Sequence, residues 1–89
     1  MKNKWFDEVF LPSATEKMKK NEKYPNTMVL SEKQENICIR YMNPKQCYGD
    51  YGYFTNYTYE LNGYKYLLYH NGRYTFLSCR IDERALESK

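Results

Sequence analysis

Two Asn-Gly pairs, Asn62-Gly63 and Asn71-Gly72, interrupt the run YGYFTNYTYELNGYKYLLYHNGRYTFLSCRI from Tyr51 to Ile81. No other feature restricts the fold as much. Asn-Gly between alternating apolar residues marks a two-residue hairpin, because both central residues of a type I′ turn need φ > 0. The run therefore predicts a three-stranded antiparallel β-meander. Turns at both pairs would set Leu61 opposite Tyr64, Glu60 opposite Lys65, Tyr59 opposite Tyr66 and Tyr57 opposite Leu68. The second turn would set His70 opposite Arg73, Tyr69 opposite Tyr74 and Leu67 opposite Phe76.

Side chains alternate between the two faces of a strand, so these pairings sort the meander into two surfaces. Tyr57, Tyr59, Leu61, Tyr64, Tyr66, Leu68, Leu77, Cys79 and Ile81 share one face. The other face combines Asn56, Thr58, Glu60, Lys65, Ser78 and Arg80 with Leu67, Tyr69, Tyr74 and Phe76. Charged and small polar residues identify the second face as the wetted one. Large side chains at 67, 69, 74 and 76 are anomalous there, and an exposed apolar patch of that kind marks a binding surface. Leu67, Tyr69, Tyr74 and Phe76, with Arg73 and Arg80 beside them, are the candidate partner-binding residues. The competing readings are that the chain covers this patch itself or that Tyr is there as a strand former.

The segment before the meander reads as helical. Trp5, Phe6, Val9 and Phe10 have helical spacing, and Pro12 either kinks this helix or opens a second one with Ser13 as N-cap. Lys17, Lys19, Lys20 and Lys23 form the one basic cluster, at a helix end that suits cations, and could steer an acidic partner. Tyr24-Pro25-Asn26-Thr27 reads as a linker. Ser31-Glu32-Lys33-Gln34 is a capping box, and Ile37, Cys38, Tyr41 and Met42 form the apolar stripe of the helix it opens. Asn43-Pro44 stops that helix, residues 43–50 read as a loop, and residues 82–89 as one or two frayed turns. The expectation is one α+β domain over residues 1–89, with helices in 3–42 and the meander in 51–81. Two or three N-terminal helices would pack on one face of that meander.

The chemistry present is sparse. Cys38, Cys47, Cys79 and His70 lack the close pair spacing of structural zinc sites, so neither a metal nor another cofactor is expected. His70 sits at a hairpin end with no nucleophile spaced beside it, and there is no glycine-rich phosphate loop. These features argue against an enzyme. An odd number of cysteines, no apolar leader after Lys2 and Lys4, and no long apolar window point to reduced thiols, no membrane span and a cytoplasmic location. The net charge of +3 falls short of a concentrated basic stripe.

KWFDEVFLPSATEKM followed by YPNTMVLSEKQENICIRYM resembles small uncharacterised proteins of bacteriophages and prophages from A/T-rich bacteria, over about the first half of the chain. The resemblance brings no functional residues with it. It implies a class: proteins of this size that occlude a host protein inside the bacterial cell, anti-CRISPR inhibitors among them. The sequence reading is thus a non-enzymatic phage-type protein that docks a host or viral protein through the aromatic sheet face. The alternative is a small nucleic-acid binder, either winged-helix-like through residues 31–42 or holding single strands on the aromatic sheet. A homodimer through the same face is a third arrangement.

Overall fold

The computed structural model describes residues 3–81; the expected C-terminal turns at 82–89 lie outside them. The fold is α+β, but the sheet has five strands rather than three, all antiparallel, and two helices cover one side of it. In chain order the strands are β1 (Thr27–Val29), β2 (Asn43–Gly49), β3 (Gly52–Leu61), β4 (Tyr64–Asn71) and β5 (Tyr74–Ile81), arranged β1-β5-β4-β3-β2. The expected three-stranded meander is the sheet's centre, and the two missed strands are its edges.

Each edge strand forms where local sequence is a poor guide. β2 contains Pro44, which a central strand would reject, but at an edge a missing donor is tolerated. The predicted loop at 43–50 is instead held against β3 from Asn43↔Thr58 to Gly49↔Gly52. β1 replaces part of the predicted linker, with Met28 opposite Leu77 on β5. Backbone bonds extend this docking: Cys79 N–H donates to the Asn26 carbonyl at 3.0 Å and Leu30 N–H to the Thr75 carbonyl at 2.9 Å.

Asn62-Gly63 turns as predicted, with φ of 52° and 82°, and the β3–β4 pairs Tyr57↔Leu68, Tyr59↔Tyr66, Glu60↔Lys65 and Leu61↔Tyr64 follow. The second turn differs. Asn71 pairs with Tyr74, so the loop is Gly72-Arg73. Only its first residue has positive φ, 65° at Gly72, which makes the turn type II′. Core packing explains the choice: this register sets Leu68 opposite Leu77, two residues with no solvent exposure. It slides β5 by two residues from the predicted pairing, so every side chain keeps its predicted face.

Pro12 lies in the first turn of α1, Leu11–Lys19, where a missing N–H is tolerated, and Ser13 is not its cap. A π-helical turn, Phe6–Phe10, runs directly into α1. Leu11 N–H reaches the Phe6 carbonyl five residues back, a wider turn that relieves the clash a proline ring makes with the carbonyl four residues before it. The widening also rotates the apolar stripe. Phe6 is fully buried, while Trp5 and Val9, predicted on the same stripe, are exposed.

α2, Glu32–Tyr41, begins with the predicted capping box: Gln34 N–H donates to Ser31 Oγ at 3.2 Å and Ser31 N–H to Gln34 Oε1 at 2.9 Å. Phe6, Leu11, Met18, Cys38, Leu68 and Leu77 form the fully buried centre of the core. The Phe6 ring touches Phe10, Tyr41 and Tyr59, with centroids 5.2 to 5.3 Å apart. The Thr15 and Tyr66 hydroxyls share a hydrogen bond at 2.9 Å, and the Tyr59 hydroxyl donates to the Asp7 carboxylate. Both bonds join the first helix to one face of the sheet, the face predicted as core. Ile81, predicted on that face, lies at its exposed end.

Candidate functional site

The helices leave the other sheet face open, and strand register arranges its side chains in rows. A charged row crosses the sheet as Glu60–Lys65–Arg80. Beside it runs a mixed row, Thr58–Leu67–Ser78–Thr27. Next comes an apolar row, Tyr69–Phe76–Val29, with Asn71 and Tyr74 beyond it at the turn. The predicted patch therefore exists as a contiguous surface, though with different neighbours: Tyr69 faces Phe76 rather than Tyr74, and Leu67 faces Ser78 rather than Phe76. Tyr69 and Phe76 stack with centroids 5.5 Å apart at 23°, and Tyr74 lies 6.3 Å from Phe76. Tyr74 is 60% exposed, while Leu67, Tyr69 and Phe76 are half-buried among one another.

β3 pairs with β4 only from Tyr57 onward, while its first half continues beside β2 as a two-stranded arm. A concavity of about 490 Å³ lies where this arm parts from β4, with Phe54 and Asn56 on one side, Leu67, Tyr69 and Ser78 on its floor, and Arg80 at its margin. Pro25, Asn26 and Thr27, leading into β1, close the opposite side. None of the residues lining it carries a carboxylate.

The arm is the part of this surface that the sequence reading missed. Phe54 and Cys47 continue the open face onto it, while Tyr48 and Tyr53 pair on its other side, the side of Tyr57 and Tyr59, with centroids 4.9 Å apart and 76% and 73% exposed, and Tyr51 projects fully from the turn. Phe54 lies over Gly49, where a Cβ would come within 2.9 Å of its ring. The signal was present as Gly49-Asp50-Tyr51-Gly52 with an aromatic pair just outside it, a turn between two strand ends.

The predicted residues separate into two groups. Leu67, Tyr69, Tyr74, Phe76 and Arg80 share the open face, and exposed Arg73 lies in the turn at its end. Lys17, Lys19 and Lys20 lie exposed on α1 and its C-cap, in the layer on the other side of the sheet, and Lys23 sits 5.4 Å from the Tyr24 ring.

The remaining reactive groups do not converge. Cys38 and Cys79 are buried, while Cys47 Sγ on the open face accepts a bond from Asn56 Nδ2 at 3.6 Å. The His70 ring meets Glu35 on α2, with Nε2 2.7 Å from Oε2. Among the described residues no group of three or more His, Cys, Asp and Glu is placed to hold a metal ion, and no helix is long and apolar enough to cross a membrane. No protein-family model, no curated protein and no solved structure matches the chain.

Proposed function

We propose that this chain is a non-enzymatic binding protein that blocks a macromolecular partner by laying the open face of its sheet against it. The observation that carries this reading is the contiguous Leu67–Tyr69–Phe76–Tyr74 surface on the side without helices. Aromatic side chains at the centre of such a face supply most of the affinity of a docked complex.

Two partner classes have support of different kinds. The resemblance of the first half of the chain to phage proteins supports a host protein, and with it an inhibitor or anti-defence role in the bacterial cytoplasm, anti-CRISPR activity included. The charge of the open face supports nucleic acid. A pull-down from bacterial lysate tests the docking surface itself. Wild type is expected to retain a partner that a folded Tyr69→Ser, Tyr74→Ser, Phe76→Ser variant loses. Retention by that variant, with its circular dichroism unchanged, would make the open face structural and rule out this reading.

A further inference from the structure

We propose, building on the docking reading, that the open face takes single-stranded nucleic acid, with bases stacked on Tyr69, Phe76 and Phe54 and phosphates held by Arg80, Lys65 and Lys45. Charge is the first argument. Strand alternation brings Lys45, Lys65 and Arg80 to this face, all exposed, and among the described residues Glu60 alone brings a carboxylate. Glu60 stands next to Lys65 in its row, away from the carboxylate-free concavity where Arg80 lies. Arg73 adds a fourth cation beyond the aromatic row. An anionic partner fits this surface.

The floor of the concavity distinguishes a strand from an acidic protein. A protein hot spot seats its anchors in an apolar, desolvated pocket. Here Phe54 and Tyr69 share the lining with Asn26, Thr27, Asn56 and Ser78, whose amides and hydroxyls both donate and accept. That combination suits unstacked bases, which offer a π face to a ring and a polar edge to a side chain. Sheet aromatics flanked by cations are a recurrent way of holding single strands with little sequence preference. A duplex keeps its bases stacked inside and cannot use such rings.

The test is fluorescence anisotropy with a labelled oligo-dT of about 12 nucleotides, a length within the span of one sheet-borne site. Three phosphate contacts predict a slope of log affinity on log salt near −2, or about fifteen-fold weaker binding between 50 and 200 mM salt. Tyr69→Leu with Phe76→Leu keeps apolar bulk but removes the ring faces, and should weaken binding at least fivefold. Lys65→Gln with Arg80→Gln should lower the slope by about 1.4. A duplex and poly-glutamate serve as competitors and should compete poorly. Oligonucleotide binding unchanged in the leucine variant would overturn the inference, leaving only general polyanion attraction. Absence of oligonucleotide binding, together with nuclease-resistant capture of a lysate protein that the serine variant loses, would overturn it in favour of a protein partner and leave the docking reading standing. Loss of neither activity in the open-face variants would end both.

Discussion

Cys38, Tyr59 and Tyr66 sit where the folded chain disfavours a negative charge. Burial, helped by the nearby Glu35 carboxylate, pushes the Cys38 thiol up from 9.0 to about 12. Burial likewise raises Tyr66 from 10.0 to about 12, against the opposing pull of its bond with Thr15. Tyr59 rises to about 12 through burial first, then through its hydrogen bond to Asp7 and the charge of that carboxylate. In each case the unfolded chain gives up its proton at lower pH than the folded one, so above pH 9 the unfolded state binds fewer protons. Stability must then fall as pH rises, from about 9, where the thiol begins to ionise in the unfolded chain, to about 12, where the folded groups follow. Urea titrations should give a constant midpoint from pH 7 to 8.5 and a declining one above 9. Cys38→Ala should make the decline between pH 9 and 10 shallower. Some slope should persist, because burial also raises Cys79. An unchanged slope in that variant would show that the thiol does not contribute.

The two Asn-Gly pairs look alike in sequence yet occupy different positions in their hairpins, and this gives a test at the scale of single elements. Asn62 is a loop residue at φ 52°, whereas Asn71 is the last residue of β4, paired with Tyr74. A left-handed backbone costs an ordinary L-residue about 1 to 2 kcal/mol, and asparagine less. Asn62→Ala should therefore destabilise the protein by about 1 kcal/mol in urea unfolding, and Asn71→Ala by clearly less. Equal losses would contradict the type II′ assignment of the second turn. The pair also shows what the sequence could disclose. Both registers of the second hairpin have the same parity, so alternation placed Leu67, Tyr69, Tyr74 and Phe76 on one face even though the predicted neighbours were wrong. The α2 cap was readable because both of its partners lie within four residues. β1 and β2 were not readable: the first has three residues, the second opens Asn-Pro-Lys-Gln, and each is a strand only because β5 or β3 supplies its hydrogen bonds. The aromatic arm and the concavity were lost with β2, since both exist only where β3 leaves β4 to stay with it.

Across the whole molecule, apolar surface and charge are divided between layers. The helix layer takes the core face and carries Lys17, Lys19 and Lys20 at the end of α1; the opposite layer carries the aromatic row and its own cations. If the open face is the docking surface, as proposed, the lysine cluster lies in the other layer and can act on an approaching partner only through space. The sheet edges must meanwhile stay unpaired, because a bare edge strand is a template for another chain. β1 is too short to serve as one. β2 is longer, with seven residues on the outer edge, and two of them guard it: Pro44 offers no N–H, and Lys45 sets a charge beside the free groups. Replacing Pro44→Thr and Lys45→Thr restores the donor, removes the charge and improves strand propensity, so this variant should self-associate where wild type does not. Sedimentation velocity over a concentration series would show a mass rising with concentration in the double variant alone. Oligo-dT binding per chain should be weakened only to the extent that Lys45 holds a phosphate, because pairing through β2 leaves the Tyr69–Phe76 row uncovered. If the double variant stays at the wild-type mass throughout, Pro44 and Lys45 are not what keeps β2 unpaired.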